Sequence, residues 1–213
     1  MKRKEIKGWS EKYKAWKNAI YEHKFQIAVS FIFGILAVML NYLSGRFTDE
    51  VGSASPPDLL LDILPEIDLS VLYIGLFPIV LGVFVFYTLI FKPEKLHYII
   101  GMLGIYGVVK AGFSILTHLK VPGGALEITW TPFFYNWLYF SNYLFFAGNV
   151  GLAYLGYLVY RENRFLRYFM LISSFLFAAS ALLMHRHYSI DVLSAYFITY
   201  GIYKAGNFIF RER

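Results

Sequence analysis

The chain has 213 residues, of which 58% are hydrophobic and only 16% charged, and its apolar residues come in long blocks. This composition indicates an integral membrane protein, and the length allows one compact helical bundle. The formal net charge of +6 does not indicate nucleic-acid binding, because the basic residues lie at segment ends rather than on one polar face. The lack of cysteine excludes disulfide bonds and thiol chemistry.

Residues 1–24 are predicted to form a basic amphipathic helix on the membrane surface. They contain eight Lys and Arg, and apolar side chains recur three or four positions apart at Ile6, Trp9, Tyr13, Trp16 and Ile20. This period places aromatic rings in the interface and lysines toward anionic headgroups. A solvated basic tail is the alternative. No cleavage motif follows, so we expect the first apolar run to stay as an anchor.

Residues 25–213 are predicted to form one domain, an all-α bundle of six transmembrane helices. Six apolar segments of about one bilayer thickness lie at 25–43, 71–91, 97–119, 142–160, 165–184 and 188–210. Sixteen Lys and Arg lie on the side of the two termini and three on the other side. This bias predicts that both termini are cytoplasmic.

Two longer loops are predicted on the outer, non-cytoplasmic side. The loop 44–70 holds six of the fourteen acidic residues, and apolar and acidic residues alternate between its prolines over 56–65. That stretch is too short to span and is predicted to form a short interfacial helix. In the loop 120–141, Trp130, Trp137 and Tyr139 form an aromatic belt or, alternatively, line a lipid entrance.

The stretch His185-Arg186-His187-Tyr188-Ser189-Ile190-Asp191 opens the last apolar segment. If it is helical, His187 and Asp191 share a face, since they stand four residues apart. A carboxylate beside one ring nitrogen fixes the imidazole tautomer and leaves the other nitrogen as nucleophile or base. A capping or interfacial histidine is the alternative. The topology brings 110–122, 141–151 and 185–191 to the same outer face, where we expect a site.

These stretches resemble the sphingomyelin synthase family, a branch of the type-2 phosphatidic acid phosphatase superfamily. Residues 187–192 and 195–199 resemble its third signature, 117–122 its first, and 57–65 the proline- and acid-bearing stretch after its first span. The resemblance extends over roughly residues 25–210. It implies six spans, cytoplasmic termini and a site at the non-cytoplasmic face.

The resemblance also implies a reaction, in which His187 attacks phosphorus to form a phosphohistidine and Asp191 orients it. A second family histidine, in a Ser-Gly-His signature, protonates the leaving group, but Ala147-Gly148-Asn149 stand there in this chain. An amide does not act as a titrating acid, so we expect a rate lower by about 10²- to 10⁴-fold. No metal ion or other cofactor is implied.

Asn149 is compatible with three explanations. The chain has drifted into a non-catalytic member, it recruits another acid, or the residue is a laboratory substitution that traps substrate. His118 and His185 are the candidates for a substitute acid, because histidine titrates near neutrality. Each is otherwise an interfacial histidine.

The candidate substrate-binding residues are Lys110, Lys120, Arg186, His118, Tyr143 and Gly148. Lys110 stands where the first signature has an arginine, so it keeps the charge and loses the bidentate fork. It lies inside the third span and is therefore predicted to point into the bundle. Tyr143 stands where bacterial relatives usually have an acid. Lys120 and Arg186 either bind phosphate or extend to the interface as snorkelling cations.

The sequence thus predicts a membrane-embedded phospholipid headgroup phosphotransferase or lipid phosphate phosphatase, impaired at Asn149. Its expected partner is a phospholipid or other lipid phosphate. The alternative is a pseudoenzyme of the same fold that binds lipid or serves as a scaffold. A channel or flippase is disfavoured, because the ionisable residues cluster at one face instead of lining a path across the membrane.

Overall fold

The computed structural model of the protein describes residues 13, 14, 16–18, 20–52, 54–128, 142 and 144–210. Within these residues the chain forms six long helices connected by turns and irregular loops. They are α1 (Lys24–Val51), α2 (Ser70–Phe91), α3 (Leu96–Leu116), α4 (Gly148–Val159), α5 (Arg164–Leu183) and α6 (Ser189–Phe210). The predicted all-α class is confirmed for this part of the chain.

Four helical segments are long and apolar enough to cross a membrane: Lys24–Val51, Ser70–Phe91, Pro93–Leu116 and Arg164–Leu183. They indicate a multi-pass membrane protein. α4 has 12 residues, so it extends only about 18 Å, which is less than a hydrocarbon core of about 30 Å. The number of six spans and the cytoplasmic side of the termini stay predictions.

The fourth apolar segment becomes helical later than predicted, at Gly148 rather than at residue 142. The backbone of residues 144–147 is not helical. The carbonyl of Leu144 accepts a hydrogen bond from Lys110 Nζ at 3.2 Å, and that of Phe145 accepts one from Ser114 Oγ at 2.7 Å. Non-helical backbone at membrane depth needs such partners, and these two side chains of α3 supply them.

The helix predicted over 56–65 was wrong, because residues 59–63 form turns. The Asp58 side chain accepts hydrogen bonds from the backbone N–H groups of Leu60 at 3.0 Å and Leu61 at 3.3 Å. Such bonds cap a single helical turn, in which the Asp62 N–H donates to the Asp58 carbonyl at 3.0 Å, and no continuous helix follows it. Pro65 then prevents a longer helical run from continuing.

The described residues between positions 13 and 22 are helical. Among them, Trp16 donates its indole N–H to the carbonyl of Leu89, near the end of α2, at 3.1 Å. Tyr13 and Ile20 of the predicted amphipathic period are exposed, and its two remaining positions, Ile6 and Trp9, lie outside the described residues. The division into a surface helix at 1–24 and a membrane domain at 25–213 therefore stays a prediction.

α1 packs closely against α3. A Cβ atom on Gly107 would lie 2.7 Å from Cβ of Ala37, so only glycine permits this approach. Asn41 of α1 donates to the Gly107 carbonyl at 2.8 Å across the same interface. The opposite surface of α1 exposes Phe31, Ile32, Ile35 and Val38, as expected of a surface that faces lipid.

α4 is the innermost helix of the described bundle. It packs against α5 and α6, while α6 also contacts α3 and α2 contacts α5. Val150, Ala153 and Leu155 of α4 are completely buried. A Cβ atom on Gly151 would lie 2.5 Å from the Tyr106 hydroxyl of α3 and 2.6 Å from Thr199 Oγ1 of α6. The end of α3 binds the segment before α4 through Lys110 and Ser114, and the Ala147 N–H donates to the Asp191 carbonyl. The starts of α4 and α6 and the end of α3 therefore meet at one end of the bundle, which we call the His187 end.

Candidate active site

Two distant segments attach to the first turn of α6. The backbone N–H of Ser189, the first residue of α6, donates to Asp58 Oδ2 of the loop between α1 and α2 at 2.7 Å. The N–H of Ala147, just before α4, donates to the Asp191 carbonyl at 3.1 Å. Two of the stretches that the sequence analysis singled out, around Ala147 and around Asp191, are thus in direct contact.

Asp191 is fully buried and holds the start of α6 together. Its Oδ2 accepts a hydrogen bond from the Tyr188 N–H at 3.1 Å, as the third residue of a helix does in a capping box. The same oxygen lies 3.5 Å from Nδ1 of His187, which is the separation of an ion-pair contact rather than of a short hydrogen bond. Asp191 therefore caps its helix and also contacts the imidazole.

His187 lies in a buried environment with charges of both signs. Burial lowers the pKa of the His187 imidazole, Asp191 raises it, and the charges of Lys110 and Arg186 lower it further, so that the pKa falls below its ordinary value. The neutral form of the ring is consequently favoured near pH 7. Because Nδ1 faces Asp191, Nε2 is the nitrogen that is left for chemistry.

Lys110 is a buried cation of α3, only 5% exposed. Its Nζ donates to Ser114 Oγ and to the Leu144 carbonyl, both at 3.2 Å. It also lies 5.6 Å from the centre of the Phe146 ring. A Cβ atom on Gly148 would lie 3.3 Å from Lys110 Cε. Lys110 thus faces the bundle interior and contacts the segment that precedes α4.

Arg186 and Asn149 meet at a tyrosine that the sequence analysis did not select. The Tyr73 hydroxyl of α2 lies within electrostatic range of both the Asn149 side chain and Arg186. Arg186 is 8% exposed, and its Nη1 donates to the Leu126 carbonyl at 3.4 Å. In the sequence, Tyr73 could have been recognised only as a tyrosine within an apolar helix, because the hydroxyl of a buried tyrosine needs a polar partner.

Asp58 is the second residue that the site selection missed. Burial raises the pKa of its carboxyl, but hydrogen bonds from Ser189, Leu61 and Leu60 together lower it more, so the pKa lies below its ordinary value. Asp58 is therefore an ionised cap on α6. The proline- and acid-rich pattern of its loop was visible in the sequence, although the helix that it caps was not.

The remaining predicted residues lie farther from the imidazole or outside the described chain. His118 is exposed and packs edge-on against Phe47, with ring centres 5.6 Å apart. Nε2 of His185 contacts the Leu64 carbonyl at 3.3 Å. The side chain of Lys120 is exposed, while its carbonyl accepts a hydrogen bond from the Tyr188 hydroxyl at 2.8 Å. Tyr143, Trp130, Trp137 and Tyr139 lie outside the described residues.

In the described ranges, no group of three His, Cys, Asp or Glu residues is placed to hold a metal ion. The charged groups near His187 are instead one carboxylate, Asp191, and two cations, Lys110 and Arg186. Such a set can position and neutralise a phosphate monoester or diester.

Comparison with known proteins found one family model, described as PAP2 superfamily C-terminal, which matches residues 129–207. No curated protein and no solved structure matches the chain. The matched segment contains Gly148, Asn149, His187 and Asp191, and Lys110 lies before it. Over this segment the chain is similar to the type-2 phosphatidic acid phosphatase superfamily, and with its apolar helices it fits a membrane-embedded fold of the lipid phosphatase type.

Proposed function

We propose that the protein is a lipid phosphate phosphatase or phospholipid headgroup phosphotransferase of the sphingomyelin synthase-like branch, with its site at the non-cytoplasmic face and with reduced turnover. The observation that carries this proposal is the buried pair of His187 and Asp191, 3.5 Å apart, with Lys110 and Arg186 in electrostatic range of the imidazole. The family match over residues 129–207 supports it.

In the proposed reaction, Nε2 of His187 attacks phosphorus and the bond from phosphorus to the leaving oxygen breaks. Asp191 stabilises the positive charge that develops on the imidazole, and Lys110 and Arg186 neutralise the non-bridging oxygens. With a phosphate monoester as substrate, water then attacks the phosphohistidine and phosphate is released. With a phosphodiester, the phosphohistidine carries the headgroup, so attack by water releases the phosphorylated headgroup and attack by an alcohol gives a new phosphodiester. In each case the bond from phosphorus to Nε2 breaks and the attacking oxygen loses its proton to solvent water.

The weak point is the proton for the leaving oxygen. Asn149 donates a hydrogen bond but no proton, so the leaving group takes its proton from water, and the expected loss is about 10²- to 10⁴-fold. The exposed position of His118 and the contact of His185 with Leu64 favour an impaired site over a substitute histidine. We retain as the alternative function a non-catalytic lipid-binding or scaffold protein, which the amide of Asn149 at the position of the family's acid favours.

The decisive experiment measures release of phosphate or phosphorylated headgroup from a panel of lipids by purified protein in detergent. The variants are Asn149→His, His187→Ala in both backgrounds, and His118→Ala as a matched histidine control at an exposed position. We expect slow turnover that Asn149→His raises, that His187→Ala abolishes and that His118→Ala leaves unchanged.

Each other outcome has a definite meaning. Turnover that survives His187→Ala would refute the nucleophile assignment. No turnover in the wild type or in Asn149→His would favour the lipid-binding or scaffold function. The combined change Ala147→Ser and Asn149→His then restores the second signature fully, and continued inactivity in that variant would reject the catalytic proposal.

A further inference from the structure

A polar cavity lies at the end of the bundle opposite the His187 end. Its volume is about 790 Å³, and it is lined by the turn after α2, the turn between α4 and α5, and the last residues of α6. The first cavity-lining residue of α6, Tyr203, lies well beyond its start at Ser189, so the cavity begins about 21 Å along that helix from the His187 end. The cavity is therefore a feature separate from the proposed active site.

The cavity has more cationic than anionic side chains. The charged residues that line it are Lys92, Glu94, Lys95, Arg161, Glu162 and Arg164, together with His23 and His97. Lys95 pairs with Glu162 at 2.8 Å, and Lys92 lies 3.9 Å from Glu94. Within the described residues, neither Arg161 nor Arg164 has a carboxylate at ion-pair distance.

The two arginines are better suited to bind a phosphate group than side chains that carry only a point charge. A guanidinium group binds phosphate through two parallel N–H groups. Arg161 is already oriented, since its guanidinium carbon lies 5.1 Å from the centre of the Tyr203 ring. Neutral donors and acceptors line the cavity as well, including the hydrogen-bonded pair of Tyr98 and Asn207 at 2.9 Å.

The cavity also continues onto the outer surface of the bundle. Phe165 lines it and is 78% exposed. Ile99 and Phe210 form buried apolar parts of the wall. An apolar surface that joins a cationic cavity fits an amphiphile whose headgroup enters the cavity while its acyl chains stay in the membrane. A soluble phosphate compound would leave this apolar surface unused.

We propose that this cavity binds the phosphate headgroup of one anionic phospholipid through Arg161 and Arg164. The site lies on the side that the Lys and Arg distribution predicts to be cytoplasmic, where anionic lipids attract basic groups. This assignment does not depend on catalysis at His187, and it stands whether the protein is an enzyme or a lipid-binding relative.

The test is native mass spectrometry of delipidated full-length protein titrated with phosphatidylglycerol or with phosphatidylcholine of the same acyl chains. We expect one phosphatidylglycerol to bind at concentrations at which phosphatidylcholine does not. Arg161→Gln/Arg164→Gln should lower that affinity by about tenfold or more. Lys24→Gln/Lys204→Gln removes the same charge at the same end, outside the cavity lining, and should change the affinity less than twofold, about the scatter of such titrations.

Three results would overturn the proposal: equal affinity for the two lipids, an equal loss in the two double variants, or binding of sn-glycerol 3-phosphate without binding of the lipid. The His187→Ala protein should retain the full phosphatidylglycerol affinity, which separates this site from the proposed active site. If the glutamine variant does not fold, Arg161→Lys/Arg164→Lys keeps the charge and loses the bidentate fork. Unchanged affinity in that variant would also reject the arginine assignment.

Discussion

The carboxylate of Asp58 accepts a hydrogen bond of 2.7 Å from the backbone N–H of Ser189, although 131 residues separate the two in the chain. Ser189 is the first residue of α6, and the opening N–H groups of a helix have no partner within it. The loop between α1 and α2 thus completes the start of the helix that carries Asp191. It thereby also holds the turn that contains His187.

Asp58→Ala is expected to lower the free energy of unfolding by about 0.5–2 kcal/mol, because it removes a carboxylate from a helix N-terminus. The measurement is the melting temperature in detergent. Asp62→Ala is the matched control, because Asp62 is an exposed acid of the same loop and its loss should leave the melting temperature nearly unchanged. Equal shifts in the two variants would contradict a capping role for Asp58.

The effect of Asp58→Ala should also depend on pH. The folded protein holds the pKa of Asp58 below its ordinary value, so the carboxylate stabilises the fold above the unfolded pKa of about 3.9 and this contribution is lost as the pH falls through the lower folded pKa. The difference in melting temperature between wild type and variant should therefore shrink below about pH 4. A difference that persists unchanged at pH 3 would argue against an ionised cap.

His187 should make the protein less stable in mild acid. Burial lowers the pKa of the folded imidazole, so the unfolded chain takes up its proton first, at about pH 6.5, and stability falls as the pH drops from there through the folded pKa. His187→Gln removes this titration and should give a flatter melting-temperature profile between pH 7.5 and 5. His118→Gln, at an exposed ring, should keep the wild-type slope.

The lowered pKa of His187 should also determine the pH dependence of turnover. A neutral imidazole is the nucleophile, so the acid limb of the rate profile for phosphate release should lie below about pH 6.5, the ordinary value for histidine. An acid limb well above that pH would show that another group controls the rate. The profile is best recorded in the Asn149→His background beside the wild type, since the new histidine adds its own titration.

Tyr73→Phe is expected to separate a role in the site from a role in packing. It removes the hydroxyl that contacts Asn149 and Arg186, and we expect a loss of about 0.5–1.5 kcal/mol in stability together with weaker binding of a short-chain lipid phosphate. Tyr196→Phe is the control, because its hydroxyl accepts a hydrogen bond from Ser174 at 3.4 Å and the residue lies outside the lining of the Arg161 cavity. The control variant should lose similar stability and keep its affinity for the lipid phosphate. An equal loss of affinity in the two variants would show that Tyr73 has only a structural role.

Two glycines of α3 test the packing against α1. Gly107→Ala places a Cβ atom 2.7 Å from the Cβ atom of Ala37, and such overpacking should destabilise the fold by about 1–3 kcal/mol. Gly112→Ala meets nothing within 4 Å, so it should be neutral or stabilise by up to about 1 kcal/mol through helix propensity. The melting temperatures of both variants test this prediction. An unchanged melting temperature for Gly107→Ala would mean that α1 and α3 can move apart with little loss of stability.

The helices of the described bundle were largely predictable, because a long apolar run is a local property of the chain. The predicted segments 71–91 and 165–184 agree with α2 and α5 within a residue. The sequence also predicted that His187 and Asp191 lie close together, but on one helix, whereas α6 begins at Ser189 and His187 lies in the turn before it. The two approach to 3.5 Å because the Asp191 carboxylate folds back over the start of the helix, where it also accepts from the Tyr188 N–H.

The long-range partners were not predictable, because no local pattern states which distant group meets which. α4 starts late because Lys110 and Ser114 bind carbonyls 34 and 31 residues further along the chain. Asp58 and Tyr73 approach the site through loops and helices whose packing depends on the whole bundle. The sequence by itself determines the apolar runs and the positions of the charges. The tertiary structure decides which partner each buried polar group has, because only the folded chain brings distant groups within about 3 Å of each other.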